Sequence, residues 1–485
     1  MASSRKSNLA ETVAARLAPH IPSHSSILVG LSGGMDSVLL THLLCIIAPN
    51  FQWNIKALHV HHGISPYADA WADFCRTLCK RLNISLQIER VDIAPLRHDH
   101  GIEAAARKLR YAAFSKQSCD FVALAHHADD QVETILLQLL RGAGVKGVAA
   151  MPVLSKVEGP VLSRVDGAVL RSSVGKTPAT VRPLLEVPRS QLLEYARLLK
   201  LEWIEDESNA DARYPRNFLR HNVLPALEAH FPAYRETLAR SAKNFAEAEA
   251  LLDELAEQDM QGLANDLQLD VLNLRALSVS RAKNLLRYFL HKHHAPMPHA
   301  AQLDDMLHQL RDARDDAAVC IEFGEWQVRR YQDKVHVLRA LGEFDPLIAV
   351  PWRGEVKLEW PPMSGHLSFT LAQGRGISLA KLQRAEVTLR LRSGGESLRP
   401  YPNSATRSLK NLLQEHRVPP WQRERLPMLY CGEDLVCVVG VAIHADYQAQ
   451  PGEESVLVRF EYLEYDSSKF QVVVPKSLNH QGRET

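Results

Sequence analysis

Residues 27–44, ILVGLSGGMDSVLLTHLL, carry an apolar strand pattern into a short polar turn and on into an apolar helix. Strand, tight turn and helix in that order make the building unit of a parallel α/β sheet. In the turn, Gly33 and Gly34 let the backbone approach an anion, and Ser32 and Ser37 supply hydroxyls. The unpaired N–H groups and dipole of the helix that follows favour negative charge. Ser32, Gly33, Gly34, Met35, Asp36 and Ser37 therefore read as a cradle for phosphate groups. Asp36 puts a carboxylate into an anion site, and Mg²⁺ held by Asp36 reconciles the two charges. A plain Ser/Gly turn with an N-cap is the competing reading.

Further apolar segments at 55–60, 86–91 and 121–125, each followed by a helical pattern, join the one at 26–31. Right-handed crossovers place the carboxyl ends of such strands on one edge, where the motifs after them should converge. The expected fold class is α/β: a Rossmann-like parallel-sheet domain over 1–224, with a loop or hairpin inserted at about 152–180. A mainly helical domain with a β tail follows over 225–345, then a proline-punctuated linker over 346–386. A small α+β domain over 387–465 and a loose tail over 466–485 complete the expected order.

At 485 residues, 46% hydrophobic and 23% charged, the composition is that of a soluble globular protein. Lys+Arg 57 against Asp+Glu 56 gives +1, so affinity for nucleic acid must come from local patches. Such a patch exists between Lys381 and Arg425, where ten basic residues face four acidic ones, a local +6. Seven scattered cysteines fit a reducing, cytoplasmic location. The first residues read as a helix and not as a signal, and no apolar run approaches the ~18 residues of a spanning helix, so no membrane partner is expected.

Rival motifs fail on context. Gly30-Leu31-Ser32-Gly33-Gly34 satisfies G-x-S-x-G, but no earlier strand is available for the oxyanion loop of a serine hydrolase. Gly142-Ala143-Gly144-Val145-Lys146-Gly147 follows a helical run and not a strand, so its glycines read as caps. Gly175-Lys176-Thr177 ends like a Walker A loop, yet Leu170 stands where the first glycine is required.

The SGGMDS turn resembles the PP-loop of the N-type ATP pyrophosphatases, which implies cleavage of ATP to AMP and pyrophosphate. Two more motifs lie at strand carboxyl ends: Leu58-His59-Val60-His61-His62-Gly63 and Ala125-His126-His127-Ala128-Asp129-Asp130-Gln131-Val132-Glu133-Thr134. Zinc is a weak alternative there, since no cysteine joins the histidines. His127 reads as a core imidazole and Asp129 and Asp130 as N-caps, or else Asp130 serves Mg²⁺ or substrate, His126 donates to the nucleotide and Glu133 holds an amine. Arg107, Arg110 and Tyr111 share a helical face suited to phosphate or a stacked base, although a Glu103–Arg107 surface pair explains the first equally well. Arg216 and Arg220 share another, next to aromatic residues, as single-stranded RNA requires.

Together these segments resemble the tRNA(Ile)-lysidine synthetase family. SGGxDS, the E-x-x-A-R-x-x-R-Y helix, AHHxDDQxET, R-G-x-G-x-x-G, Arg182-Pro183-Leu184-Leu185, D-x-S-N and R-N-x-x-R occur in the family's order. The stretches around Leu391–Glu396 and Leu409–Arg423 are similar to its last domain. The arginine common after His62-Gly63 in that family is absent here.

The resemblance implies a ligase that joins L-lysine to C2 of the wobble cytidine of a CAU-anticodon tRNA(Ile) through an adenylated base. Its implied catalytic residues are Asp36, Arg107, His126, Asp130 and Glu133, with tRNA contacts from Arg110, Arg216, Arg220, Arg392, Lys410 and Arg423. ATP, Mg²⁺, tRNA(Ile), L-lysine and a second copy in a homodimer are the expected partners. Alternatives are a thiolase on the same fold, for which Cys75 and Cys79 at i,i+4 are the local pair, a serine hydrolase using Ser32, and an RNA-binding protein with a degenerate ATP site.

Overall fold

The computed structural model describes residues 9–94, 102–156, 178–207, 211, 213–260, 269–314, 317–340 and 342–462. The chain forms two compact units, Met1–Leu255 and Ala256–Thr485. No helix of the described residues is long and apolar enough to cross a membrane.

The first unit runs α1 (Leu9–Leu17), β1 (Ser26–Gly30), α2 (Met35–Phe51), β2 (Asn54–His61), α3 (Ala68–Arg81), β3 (Ser85–Arg90), α4 (Ile102–Ser115), β4 (Phe121–Ala123) and α5 (Ala128–Leu140). It continues with α6 (Val145–Val148), β5 (Leu154–Lys156), β6 (Ala179–Val181), α7 (Arg189–Leu198), α8 (Pro215–Phe218), α9 (Leu224–His230) and most of the long α10 (Tyr234–Met260), whose residues from Ala256 on belong to the second unit. The sheet order is β3-β2-β1-β4-β6-β5, parallel except for β5. Alternate side chains of the buried strands serve opposite faces. Ile27 and Val29 pack with Leu9, Val13, Leu39, Leu43 and Leu192 of α1, α2 and α7, whereas Leu28 and Val122 pack with Ala113 and Phe114 of α4. Helices on both faces of a parallel sheet leave one crevice, outside the carboxyl ends of β1 and β4, where the strand order reverses.

The strand at each sequence-predicted segment is present, displaced by a residue or two at its ends. Gly142, at φ +70, follows the last residues of α5, and Gly144 N-caps α6, so these glycines are caps. The two arms of the expected insertion, β5 and β6, pair antiparallel, and residues 157–177 between them lie outside the described residues. Arg182 fastens these arms, donating to Pro152 O at 2.9 Å and Ser155 Oγ at 3.1 Å.

In the second unit, α11 (Val271–Ala276), α12 (Val279–Lys292) and α13 (Ala300–Asp312) pack on a four-stranded sheet of β7 (Leu269–Asp270), β8 (Cys320–Phe323), β9 (Trp326–Tyr331) and β10 (Lys334–Arg339). Next come β11 (Ala349–Trp352), β12 (Lys357–Trp360), β13 (Gly365–Gln373), β14 (Ile377–Ser378), α14 (Leu379–Leu382) and β15 (Val387–Arg390). The unit closes with β16 (Ser397–Leu398), β17 (Arg407–Ser408), α15 (Leu409–Glu415), α16 (Pro420–Arg423), β18 (Met428–Cys431), β19 (Asp434–Val438), β20 (Ala442–Ile443) and β21 (Glu454–Tyr462).

The expected linker at 346–386 is corrected here. β11 pairs with β15, and the nine residues of β13 pair along β21, with Trp360, Leu367 and Phe369 in the same core as Leu389 and Leu429. The prolines that suggested a linker sit where a sheet tolerates them, Pro351 on the edge strand β11 and Pro361–Pro362 in a turn. The expected tail, 466–485, lies outside the described residues.

Candidate active site

The turn after β1 is built by its small residues. Gly33 has φ +92, and a Cβ there would lie 2.8 Å from Ile204 Cδ1, so the backbone is available only to glycine. Its carbonyl accepts the Ile204 N–H at 2.9 Å. Ser37 Oγ donates to Gly34 O at 2.9 Å, accepts the Ser32 N–H at 3.2 Å and meets Ser32 Oγ at 3.1 Å. Gly34 N-caps α2 without a side chain of its own, which leaves first-turn N–H groups for an anion. Ser32 Oγ has no imidazole among its hydrogen-bond partners in the described residues, so the hydrolase reading lacks its base.

At the carboxyl end of β4, His127 caps α5 and the carboxylates of its first turns divide their work. Asp129 is structural: Oδ2 accepts the Arg189 N–H at 2.8 Å and Oδ1 accepts Arg235 Nε at 2.7 Å. Those bonds outweigh burial and hold its carboxyl below the usual range. Asp130 points inward, with Oδ2 3.4 Å from His127 Nε2, and Asp36 Oδ2 lies 3.8 Å from the same nitrogen. The turns after β1 and β4 therefore meet, as the topology required.

Glu133 is fully buried and accepts Arg220 Nε at 2.8 Å. Arg220 also reaches Asp130 Oδ1 at 3.5 Å, so this arginine, expected on tRNA, is placed in the carboxylate cluster. Arg216 donates to Thr134 Oγ1 at 3.3 Å one turn along α5. Burial pushes His126 down to about 3 against the opposing charge of Asp130, and its Nδ1 is buried without a hydrogen-bond partner among the described residues. Arg107 lies over the Tyr111 ring at 5.1 Å and donates to its hydroxyl at 3.3 Å, so the two side chains share one face of α4. Arg110 is exposed on the same helix, and its charge adds to burial in pushing His62 down to about 4.

Burial raises the Asp36 carboxyl, and its Oδ1 is buried with no hydrogen-bond partner among the described residues. An oxygen in that state takes a cation or a proton. Among the described residues no three His, Cys, Asp or Glu side chains are grouped to hold a metal by themselves. Mg²⁺ ordinarily takes one or two carboxylates and completes its shell with phosphate and water, so Asp36 and Asp130 fit that ion, whereas zinc finds no ligand set here. His59 Nδ1 is already engaged at Leu31 O, 2.9 Å away.

Of the expected tRNA contacts in the second unit, Lys410 is exposed. Arg392 sits 3.5 Å from Glu396, and Arg423 donates to Val418 O at 2.7 Å and Tyr331 Oη at 2.8 Å. The charge count therefore overstated the patch, because Arg390, Arg399 and Arg407 also face Glu433, Asp446 and Glu415.

A glycine turn at the switch point of a parallel sheet, where the half-buried carboxylates Asp36 and Asp130 meet, defines an α/β nucleotide-activating enzyme of the PP-loop class. The PP-loop domain family model matches residues 4–227, the TilS substrate binding domain 269–336 and the TilS substrate C-terminal domain 387–460. The chain is 43% identical to a tRNA(Ile)-lysidine synthase of Nitrosomonas europaea, over 89% of this chain and 90% of that one. It is 37% identical to one of Coxiella burnetii, over 90% and 92%. A U34-tRNA thiolase of Methanococcus maripaludis aligns at TM-score 0.40 and 19% identity, over 49% and 78%. The chain belongs to the tRNA(Ile)-lysidine synthase family.

Proposed function

We propose that the chain ligates L-lysine to the wobble cytidine of a CAU-anticodon tRNA(Ile), consuming ATP. The observation that carries the reading is the meeting of Asp36 of the Ser32–Ser37 cradle with His127 and Asp130 across one crevice, with Glu133 joined to Asp130 through Arg220. Oxygen on C2 of cytosine is a poor leaving group and must be activated. Attack of that oxygen on the α-phosphate releases pyrophosphate into the cradle. The lysine side-chain amine, as the free base, then bonds to C2 and AMP departs with the oxygen. Positioning of the two substrates supplies much of the rate.

In this reading Asp36 and Asp130 hold Mg²⁺, which neutralises phosphate charge when bound. His126, kept neutral by burial, offers hydrogen bonds without adding charge, Glu133 holds the amine and Arg107 faces developing negative charge. Exposed Lys410 and Arg417 serve the RNA backbone. The thiolase alternative loses support at its cysteines: burial pushes Cys75 up to about 12 and Cys79 to about 11, far from the thiolate form sulfur transfer needs.

The test is transfer of labelled lysine to CAU-anticodon tRNA with and without ATP, following AMP. Base-linked lysine that requires ATP supports the reading, and AMP release with no lysine transfer overturns it.

A further inference from the structure

His127, which the sequence left among core imidazoles, has surroundings that give it another task. Its Nδ1 accepts the Asp130 N–H at 3.4 Å while its own N–H donates to Asp130 Oδ2 at 3.0 Å, a reciprocal capping box. A neutral imidazole that accepts at Nδ1 carries its proton on Nε2. That nitrogen lies 3.4 Å from Asp130 Oδ2 and 3.8 Å from Asp36 Oδ2, close enough to act on both charges without a hydrogen bond to either. The two carboxylates come from different helices and repel one another unless something stands between them. Capping alone does not account for a histidine, since Ser, Asn or Asp caps a helix as well or better. The imidazole caps with one nitrogen and places the other beside both carboxylates. The remaining neighbour, Asp129, lies 3.8 Å from Nδ1 and is spent on Arg189 and Arg235.

We propose that His127 is a positioning residue of the metal–nucleotide site. The backbone cap locks the ring, and its Nε2 edge stands beside both Asp36 and Asp130 and sets the gap in which they receive a magnesium-bound phosphate. This inference rests on the reading of Asp36 and Asp130 given above.

The experiment compares wild type with His127→Asn and His127→Ser, both of which keep an acceptor for the α5 cap. Thermal melts should move little, and Mn²⁺ binding, read by electron paramagnetic resonance with the metal alone, should weaken about tenfold or more, as for other groups that orient metal ligands. The kcat for lysine transfer should fall by a similar factor with KM for tRNA unchanged. Variants that bind Mn²⁺ and turn over within about threefold of wild type overturn the proposal. Should neither variant fold, a structure of wild type with Mg²⁺ and a non-hydrolysable ATP analogue decides it. The ring bridging both carboxylates supports the proposal, and a ring turned away from them overturns it. A wild type that makes no lysidine, with Mn²⁺ binding still lost in the variants, removes the functional reading and leaves the positioning role standing.

Discussion

Arg220 Nε donates to Glu133 Oε1 at 2.8 Å across 87 residues of sequence, and Glu133 Oε2 is buried with no hydrogen-bond partner among the described residues. Burial raises the Glu133 carboxyl while Arg220 opposes the shift, so the guanidinium is what keeps a charge tolerable there. Replacing Arg220 by Ala leaves that carboxylate uncompensated. The expected loss is about 3 kcal/mol, at the low end for a broken buried pair because Arg220 is partly in water. Thermal or urea melts should show it, and Glu133→Leu added to Arg220→Ala should recover part of the stability. Strict additivity of the two losses would count against the pair.

The two glycines of the phosphate turn should separate. Gly33→Ala meets Ile204 at 2.8 Å in a left-handed backbone, whereas Gly34→Ala places its Cβ no closer than 3.6 Å to Ser32 Oγ. Gly33→Ala is expected to cost about 1–3 kcal/mol of stability, and Gly34→Ala to melt like wild type while weakening ATP binding through closer approach of the new methyl to phosphate. Melts beside ATP titrations check both. Equal melting temperatures for the two variants would refute the backbone argument.

The parallel sheet and its crevice were legible because a buried strand, a glycine turn and an apolar helix leave local traces in composition. Asp36 and Asp130 could be named from motif context. The division between Asp129 and Asp130 could not, since both are acidic residues in one helical turn and what separates them is Arg235, 106 residues away. The Arg220–Glu133 pair was hidden for a similar reason: spacing shows that Arg216 and Arg220 share a face, not that the face meets Glu133. The 346–386 stretch was obscured by prolines that are harmless on an edge strand, and its pairing with β21 spans too much sequence to leave a local signal.

His336 should give the second unit an acid sensitivity of its own. Burial, aided by His293 and Lys334, pushes its imidazole down to about 4, and its Nε2 is buried without a partner among the described residues. The ring packs edge-on against Trp421, with centroids 5.3 Å apart. The unfolded chain, near pKa 6.5, binds a proton between pH 6.5 and 4 that the folded unit refuses, so stability falls as pH drops through that window. The loss by pH 4.5 should be about 2 kcal/mol. His336→Phe should flatten this part of the melting-temperature profile and leave pH 7.5 nearly unchanged. A variant with the same acid slope as wild type would assign the effect elsewhere.

Basic residues between Lys381 and Arg425 should divide by whether the fold has already used them. Lys410 and Arg417 are exposed, while Arg423 is held by Val418 O and Tyr331 Oη and lies 5.8 Å from the Tyr331 ring centre. A guanidinium bound on two sides within the fold has few donors left for phosphate. Lys410→Gln and Arg417→Gln should each lower the salt slope of tRNA binding by roughly one, with melting unchanged. Arg423→Ala should instead destabilise by about 1–2 kcal/mol through the lost charge-assisted bonds, at a nearly constant slope. Filter-binding titrations across salt concentration, set beside thermal melts, read both quantities on each variant. A reduced slope for Arg423→Ala with unchanged melting would show that this arginine leaves its protein partners to meet RNA.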